Sequence, residues 1–279
     1  MICADAKLVR LIDKESIALA FALSIIGVAD TDSLLPNWIK HQFPKTLGII
    51  NELRVVCDGN KGCPYCDKLS PVKGLKRFFG FNAFRSFSED EGKPLQEQVV
   101  EAGLARQSFV AIFPTGGGKS LTFQLPALMR GAANHSLTVI ISPLQSLMKD
   151  QVDVLRERHD ITEAVTINGM LSPLERGEAI ERVENGGANL LYISPESLRS
   201  NTILGLLKRR VINRFVIDEA HCFSSWGQDF RVDYLYIGKF IKKLQELKQL
   251  LTPIPVSCFT ATAKPVSYTH LTLPTNREV

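Results

Sequence analysis

Residues 113–120 read Phe-Pro-Thr-Gly-Gly-Gly-Lys-Ser, after an apolar run at 108–113 and before a helical pattern at 120–129. Three successive glycines let the backbone wrap closely around phosphates and point its N–H groups inward at the start of a helix. Lys119 can then reach the β- and γ-phosphates of a nucleotide, and the Ser120 hydroxyl can hold Mg²⁺. The nucleotide-binding candidates are Thr115, Gly116, Gly117, Gly118, Lys119 and Ser120.

A second motif lies about a hundred residues further on, where Phe215-Val-Ile is followed by Asp218-Glu219-Ala-His221. An apolar strand that ends in two acids suits Asp218 for the Mg²⁺ shell and Glu219 for polarising the attacking water. Either acid alone would be a common carboxylate at the end of a strand. The general pattern of phosphate-binding loops has a glycine where this chain has Phe113. The glycine loop alone could therefore also be a turn that carries Gly-Lys-Ser by chance. Together the two motifs predict an ATPase with ATP and Mg²⁺ as cofactors, and with Lys119, Asp218, Glu219 and His221 as catalytic candidates.

Short apolar runs rich in β-branched residues alternate with amphipathic stretches over the same part of the chain. Strands of about five residues between helices of ten to fifteen predict an α/β fold with a mainly parallel sheet. Ligands bind such sheets at the carboxyl ends of the strands, which is where both motifs fall. The predicted strands are 109–113, 138–142, 190–194, 214–217 and 256–260, and the clearest helical patterns are 146–156 and 235–251.

The composition excludes several classes of protein. Of the 279 residues 45% are hydrophobic and 22% are charged, which excludes wholesale disorder. The formal net charge is only +4, so a nucleic-acid partner would have to bind a local patch. The longest apolar run, residues 17–28, is 12 residues long, whereas a membrane helix needs roughly 20, so we expect no membrane partner. Six cysteines without a secretion signal favour a reducing, cytoplasmic location.

The stretch after the acidic motif, Cys222-Phe-Ser-Ser-Trp-Gly-Gln-Asp-Phe-Arg231, resembles the first motor domain of the RecQ family of DNA helicases, within helicase superfamily two. Residues 141–151, 191–198 and 259–263 resemble the family's motifs Ia, Ib and III, and the resemblance covers about residues 75–265. It implies a RecA-like domain of three layers. It also implies ATP-driven unwinding in the 3′-to-5′ direction, with DNA as the partner, single-stranded or at a duplex junction.

The family recognises adenine with the element Phe-Arg-Pro-x-Gln, and this chain departs from it. Phe84-Arg85 is followed by an acidic insert at 89–91, and the candidate glutamine is Gln96, 23 residues before Lys119 as the family would place it. A glutamine carboxamide both donates and accepts hydrogen bonds, so it can select ATP over GTP. Gln98 is the competing candidate.

The resemblance implies that the loop after the acidic motif couples DNA binding to hydrolysis. Phe223, Trp226 and Phe230 offer stacking faces and Arg231 a charge that seeks phosphate. The alternative is that Trp226 and Phe230 are core aromatics, but their Ser, Gly and Gln neighbours favour an exposed loop. Further candidates for DNA binding or coupling are Ser142, Lys149, Ser194, Arg199, Thr260 and Thr262.

The predicted domain organisation has three parts: an accessory region or upstream remnant at 1–72, mostly helical, the ATP-binding domain at 73–265, and a tail at 266–279. The tail lacks a helical period, and we expect it to be foreign to the family. Cys57, Cys63 and Cys66 are spaced as zinc ligands, and the fourth ligand would be His41, Asp67 or Cys3. Exposed or relic thiols are the alternative.

The resemblance also implies a second motor domain that contributes arginines to the ATP site. This sequence holds no counterpart of that domain, so we expect the chain alone to bind ATP weakly and to unwind little or no DNA. Two other functions remain open: a nucleotide-regulated nucleic-acid-binding module that does not translocate, and an RNA helicase.

Overall fold

A computed structural model describes residues 70–86, 92–114, 116–222, 228–250 and 252–261. The predicted tail at 266–279 and almost all of the predicted N-terminal region, including the three clustered cysteines, lie outside these ranges. The predicted boundary near residue 73 falls within the first described helix, which begins at Pro71.

One sheet of six strands, every neighbouring pair parallel, lies at the centre of the described part. The strands are β1 (Phe109–Ile112), β2 (Leu137–Ile141), β3 (Ala164–Ile167), β4 (Leu190–Ile193), β5 (Ile212–Ile217) and β6 (Val256–Thr260). Their spatial order is β1-β6-β5-β2-β4-β3. Five of the strands confirm the runs predicted from sequence. The strand β3 was not predicted; it has only four residues and begins with alanine.

Helices connect the strands. The helix Pro173–Glu184 begins with a reciprocal cap. Glu175 N donates to Ser172 Oγ at 3.3 Å, and Ser172 N donates to Glu175 Oε2 at 2.8 Å. The last helix begins at Gln228, seven residues before its predicted start. A 3₁₀ turn at Pro195–Arg199 follows β4. The described helices are α1 (Pro71–Phe79), α2 (Leu95–Leu104), α3 (Lys119–Asn134), α4 (Gln145–His159), α5 (Pro173–Glu184), α6 (Asn201–Arg209) and α7 (Gln228–Lys248).

The core consists of two apolar clusters, one on each face of the sheet. Along β5, Phe215 and Ile217 belong to the cluster that contains residues of α5, α6 and α7. Val216 belongs to the other cluster, together with residues of α1, α2, α3 and α4. Successive residues of a strand point to opposite faces, so the sheet lies between two layers of helices. This is the predicted three-layer α/β architecture, and it brings the carboxyl ends of all six strands to one edge.

Candidate nucleotide-binding site

The glycine loop joins β1 to α3, and Lys119 is the first residue of that helix. Gly116 and Gly118 have φ angles of 76° and 70°, in the left-handed region that favours glycine. Gly117 N donates to Pro114 O at 2.8 Å, and a Cβ on Gly117 would lie only 2.8 Å from the same carbonyl oxygen. The loop conformation therefore requires the glycines that the sequence places there. Thr115 lies outside the described residues.

Lys119 contacts both acids of the second motif. Its Nζ lies 2.9 Å from Asp218 Oδ1 and 2.5 Å from Glu219 Oε1. On the far side, Glu219 Oε2 lies 3.1 Å from His221 Nδ1, which is 3.3 Å from Thr260 Oγ1. A continuous series of contacts thus links the glycine loop, the end of β5 and the end of β6. The structure brings the four predicted catalytic residues together and adds Thr260 to them.

The site carries an excess of negative charge, since two carboxylates face one ammonium group. Burial raises the pKa of the Asp218 carboxyl, although the charge of Lys119 opposes that change. Burial also opposes the charge on Lys119, but Asp218 and Glu219 outweigh it and raise the pKa of the amine. Glu219 has a φ of 50°, which is strained for a residue other than glycine and is common at functional sites.

The oxygen donors at this edge fit Mg²⁺. A hydroxyl on Ser120 and a carboxylate on Asp218 are hard ligands, and Mg²⁺ in nucleotide sites keeps several waters and binds few protein groups. Within the described ranges, no three His, Cys, Asp or Glu residues are grouped as a cage that could hold a metal ion without a nucleotide. The Ser120 hydroxyl and the Asp218 carboxylate therefore suit a metal ion whose remaining ligands are waters and phosphate oxygens.

Gln96 connects α2 to the glycine loop. Its side chain is buried, with Oε1 accepting from Arg85 N at 2.9 Å and Nε2 donating to Gly117 O at 3.0 Å. A Cβ on Gly118 would lie 2.4 Å from Gln96 Nε2, so the two residues fit closely. The competing candidate, Gln98, is exposed and donates to Lys93 O at 2.6 Å. The structure places Gln96, and not Gln98, beside the glycine loop, which is the predicted phosphate loop.

Gln96 also lines a cavity of about 530 Å³ beside the loop, together with Phe81, Arg85, Gly118 and Leu121. Phe81 is 50% exposed, whereas Phe84, the aromatic residue in the sequence element, is buried in the core. Phe81 was not among the site residues predicted from the sequence. The signal that could have found it is an aromatic residue directly after the left-handed Gly80 that ends α1.

The predicted DNA-contacting residues do not share one environment in the structure. Ser142 is buried after β2, and Lys149 is exposed on α4. Thr260 is buried, and its Oγ1 lies 3.3 Å from His221 Nδ1. Ser194 is buried, and Arg199 forms an ion pair with Asp233 at 2.7 Å. Phe223, Trp226 and Thr262 lie outside the described residues.

The predicted exposed loop is shorter than the sequence suggested. Phe230 and Arg231 lie within α7, which already begins at Gln228. The Ser, Gly and Gln residues that favoured a loop come before that start or at it, and the following residues continue as a helix of 21 residues. The expectation that the loop continues through Arg231 is therefore wrong.

Comparisons with known proteins agree with this geometry. The DEAD/DEAH box helicase family matches residues 93–269. The chain is 41% identical over 189 residues to the probable ATP-dependent DNA helicase RecS of Bacillus subtilis, covering 68% of this chain and 34% of that protein. It is 36% identical over 199 residues to the ATP-dependent DNA helicase RecQ of Synechocystis, covering 71% of this chain and 38% of that protein. The chain thus spans about a third of the length of these relatives.

Solved structures show the same fold at low sequence identity. The DUF1998 helicase MrfA bound to DNA and AMPPNP matches with a TM-score of 0.54 and 20% identity, covering 72% of this chain and 28% of that one. A hypothetical ATP-dependent RNA helicase from Sulfolobus tokodaii matches with a TM-score of 0.52 and 18% identity, covering 76% of this chain and 56% of that one.

Among the described helices, none has the length and apolar character needed to cross a bilayer. From its motifs, its parallel sheet and its relatives, the chain belongs to the DEAD/DEAH box helicase family, and the relatives it resembles are RecQ-type ATP-dependent DNA helicases.

Proposed function

We propose that this chain is the ATP-binding motor domain of a RecQ-type DNA helicase. The observation that carries the proposal is the contact of Lys119 with both Asp218 and Glu219 at the carboxyl edge of a parallel sheet. A lysine at the start of a helix after a glycine loop, opposite two acids, is the arrangement with which P-loop NTPases catalyse phosphoryl transfer from a nucleoside triphosphate.

Each residue of the site has a chemical part in this proposal. On ATP binding, Lys119 exchanges its carboxylate partners for the β- and γ-phosphates, and the backbone N–H groups of the glycine loop donate to the same phosphates. Glu219 orients the attacking water and accepts its proton, while His221 holds the opposite oxygen of that carboxylate. Mg²⁺, held by Ser120 and Asp218, would neutralise charge on the phosphoryl oxygens.

The base of the nucleotide occupies the cavity beside α2. Phe81 offers an aromatic face at the rim, and the Gln96 carboxamide can both donate to and accept from the adenine edge. GTP presents the opposite donor and acceptor pattern at that edge, so the same carboxamide rejects guanine unless it turns over. Its two hydrogen bonds, from Arg85 N and to Gly117 O, oppose such a turn.

We infer DNA as the polymer on which the motor acts, because the relatives at 36–41% identity are named DNA helicases. Hydrolysis and unwinding need a second motor domain, which contributes arginines to the phosphoryl group, worth about 10³ to 10⁵ in rate for comparable arginine fingers. The chain alone therefore binds nucleotide and turns it over very slowly. A chain extended through a second motor domain is the form in which translocation is to be sought.

The test is a comparison of nucleotide-dependent thermal stabilisation between the wild-type chain and Lys119→Ala, with Mg²⁺ present. ATP should raise the melting temperature of the wild type and leave that of the variant unchanged. Lys93→Ala is the matched control, because Lys93 is an exposed lysine that also pairs with a carboxylate, at 2.5 Å from Glu101 Oε1. Equal stabilisation of wild type and Lys119→Ala by ATP would refute the assignment of the site.

The polymer is tested separately in the extended chain, by comparing ATP hydrolysis with single-stranded DNA, with RNA of the same sequence and with neither. DNA should stimulate hydrolysis more than RNA. Stronger stimulation by RNA would identify an RNA helicase instead. Binding of DNA without strand displacement or stimulated hydrolysis would identify a nucleotide-regulated binding module.

A further inference from the structure

Two buried arginines hold the C-terminal end of α2, the helix that carries Gln96 near its other end. Arg214 donates through Nη1 to Gln107 O at 2.7 Å and through Nη2 to Gly103 O at 3.1 Å. Arg130 donates through Nη2 to Leu104 O. The two arginine residues are only 3% and 1% exposed. The carbonyl groups at the end of a helix carry partial negative charge, which suits a guanidinium group.

The arginines belong to the two elements that carry the catalytic groups. Arg130 is in α3, which begins with Lys119, and Arg214 is in β5, which leads into Asp218. Each arginine therefore ties the end of α2 to an element whose other end contributes to the phosphate site. The adenine-reading helix is fixed against both halves of that site.

The packing between α2 and α3 is close as well. A Cβ on Gly103 would lie 3.1 Å from Pro126 Cγ, so the backbone of α2 at Gly103 packs directly against the ring of Pro126. At the opposite end of α2, Gln96 fits against Gly118 with no room for a further atom. A shift of α2 by a fraction of an ångström would therefore move the carboxamide relative to the phosphate loop.

Fold stability alone is a poor explanation for these charges. Burial, reinforced by the charges of Arg106 and Arg130, lowers the pKa of Arg214 to about 9, so the environment opposes the charged form. The Arg214 guanidinium lies 5.3 Å from the centre of the Phe109 ring, which compensates part of that cost. Apolar residues of similar volume often stabilise a core at least as well as buried charges do.

We propose that Arg130 and Arg214 are positioning residues that set the distance between the adenine-reading Gln96 and the phosphate loop, and thereby set base specificity. The inference rests on the proposed function, because it requires that ATP binds with its base beside Gln96. It assigns a part in base specificity to residues that contact the C-terminal end of α2, which do not themselves line the base cavity.

The experiment measures dissociation constants of the 279-residue chain for ATP, for GTP and for inorganic tripolyphosphate, which engages the phosphate loop without a base. The variants are Arg214→Met and Arg130→Met. We expect ATP affinity and the preference for ATP over GTP to fall about ten-fold, which corresponds to one lost hydrogen bond, while tripolyphosphate affinity stays unchanged. A purely structural role would lower the melting temperature and leave the ratio of the ATP and tripolyphosphate affinities at the wild-type value.

Arg210→Met is the matched control, because Arg210 is also a buried arginine that donates to backbone carbonyls, His135 O at 2.7 Å and Ala188 O at 3.2 Å, outside α2. Arg214→Lys serves if Arg214→Met does not fold, since a lysine keeps the charge but lacks the planar fork that reaches two carbonyl groups. An unchanged affinity ratio in a folded variant of Arg130 or Arg214 overturns the inference, as does an equal fall in Arg210→Met. Failure of the proposed function would look different, since the wild type would then bind neither ATP nor tripolyphosphate.

Discussion

Replacing Lys119 by alanine should destabilise the protein even without nucleotide, because the side chain neutralises a buried acid. The side chains of Lys119 and Asp218 are 16% and 8% exposed, and their charged atoms are 2.9 Å apart. Removing one partner of a fully buried ion pair costs about 3–5 kcal/mol, and the partial exposure of Lys119 lowers our expectation to about 2–3 kcal/mol at neutral pH.

The loss should depend on pH in a definite direction. Burial already raises the pKa of Asp218, and without the ammonium group that pKa rises further. An acid whose pKa is higher in the folded than in the unfolded state destabilises the fold above its unfolded pKa, increasingly so until the folded pKa is passed. The difference in free energy of unfolding between wild type and Lys119→Ala should therefore be smaller at about pH 4.5 than at about pH 7.5.

Urea denaturation followed by circular dichroism at the two pH values measures this difference. The double variant Lys119→Ala/Asp218→Asn should recover part of the lost stability, because it removes the more buried of the two carboxylates that Lys119 compensates. Lys93→Ala, which breaks an exposed pair with Glu101, should leave the free energy of unfolding unchanged. If Lys119→Ala is as stable as the wild type, or if adding Asp218→Asn recovers none of the lost stability, Lys119 does not compensate the charge of Asp218.

Three other predictions address the remaining candidate residues. Gln96→Ala should reduce the preference for ATP over GTP about ten-fold, measured as a ratio of dissociation constants, whereas Gln98→Ala should leave that ratio unchanged. Glu219→Gln should keep nucleotide binding and lose turnover in a chain extended through a second motor domain, and surviving turnover would show that another group activates the water. Trp226→Ala should leave basal nucleotide binding intact and weaken DNA-stimulated hydrolysis in that extended chain, with a stacking loss of about 1–3 kcal/mol, while a variant that fails to fold would identify Trp226 as a core aromatic.

The sheet could be predicted because its strands are covered on both faces. The strands Leu137–Ile141 and Val256–Thr260 are buried at every position, so their sequences are mostly apolar or β-branched and contain no charged residue. The site could be predicted because its residues follow such strands directly in sequence. The start of α7 was placed too late, since Gln228 and Asp229 carry no apolar period that distinguishes a helix from a loop.

Features that depend on contacts distant in sequence could not be predicted. An arginine inside the apolar strand Ile-Asn-Arg-Phe-Val-Ile was a visible anomaly, but its carbonyl partners lie 107 and 111 residues earlier in the chain. The local sequence does not show that Phe81, and not Phe84, lines the cavity beside Gln96, because only the path of the chain after α1 exposes the first and buries the second. Local pattern indicates which groups are chemically able to act, and tertiary packing decides which of them reach the site.

The charge balance of the site has a consequence for how nucleotide and metal ion bind. Lys119 neutralises two carboxylates in the structure, and it cannot at the same time neutralise a triphosphate. When phosphates draw the ammonium group away, Asp218 and Glu219 lose their compensating charge in a largely buried position, which costs free energy unless another cation faces them. Ser120 and Asp218 would hold a divalent ion that accompanies the triphosphate, and its charge would compensate both the acids and the phosphates. Nucleotide and Mg²⁺ should therefore bind this edge of the sheet cooperatively, because binding of either one alone leaves uncompensated charge that binding of the other neutralises.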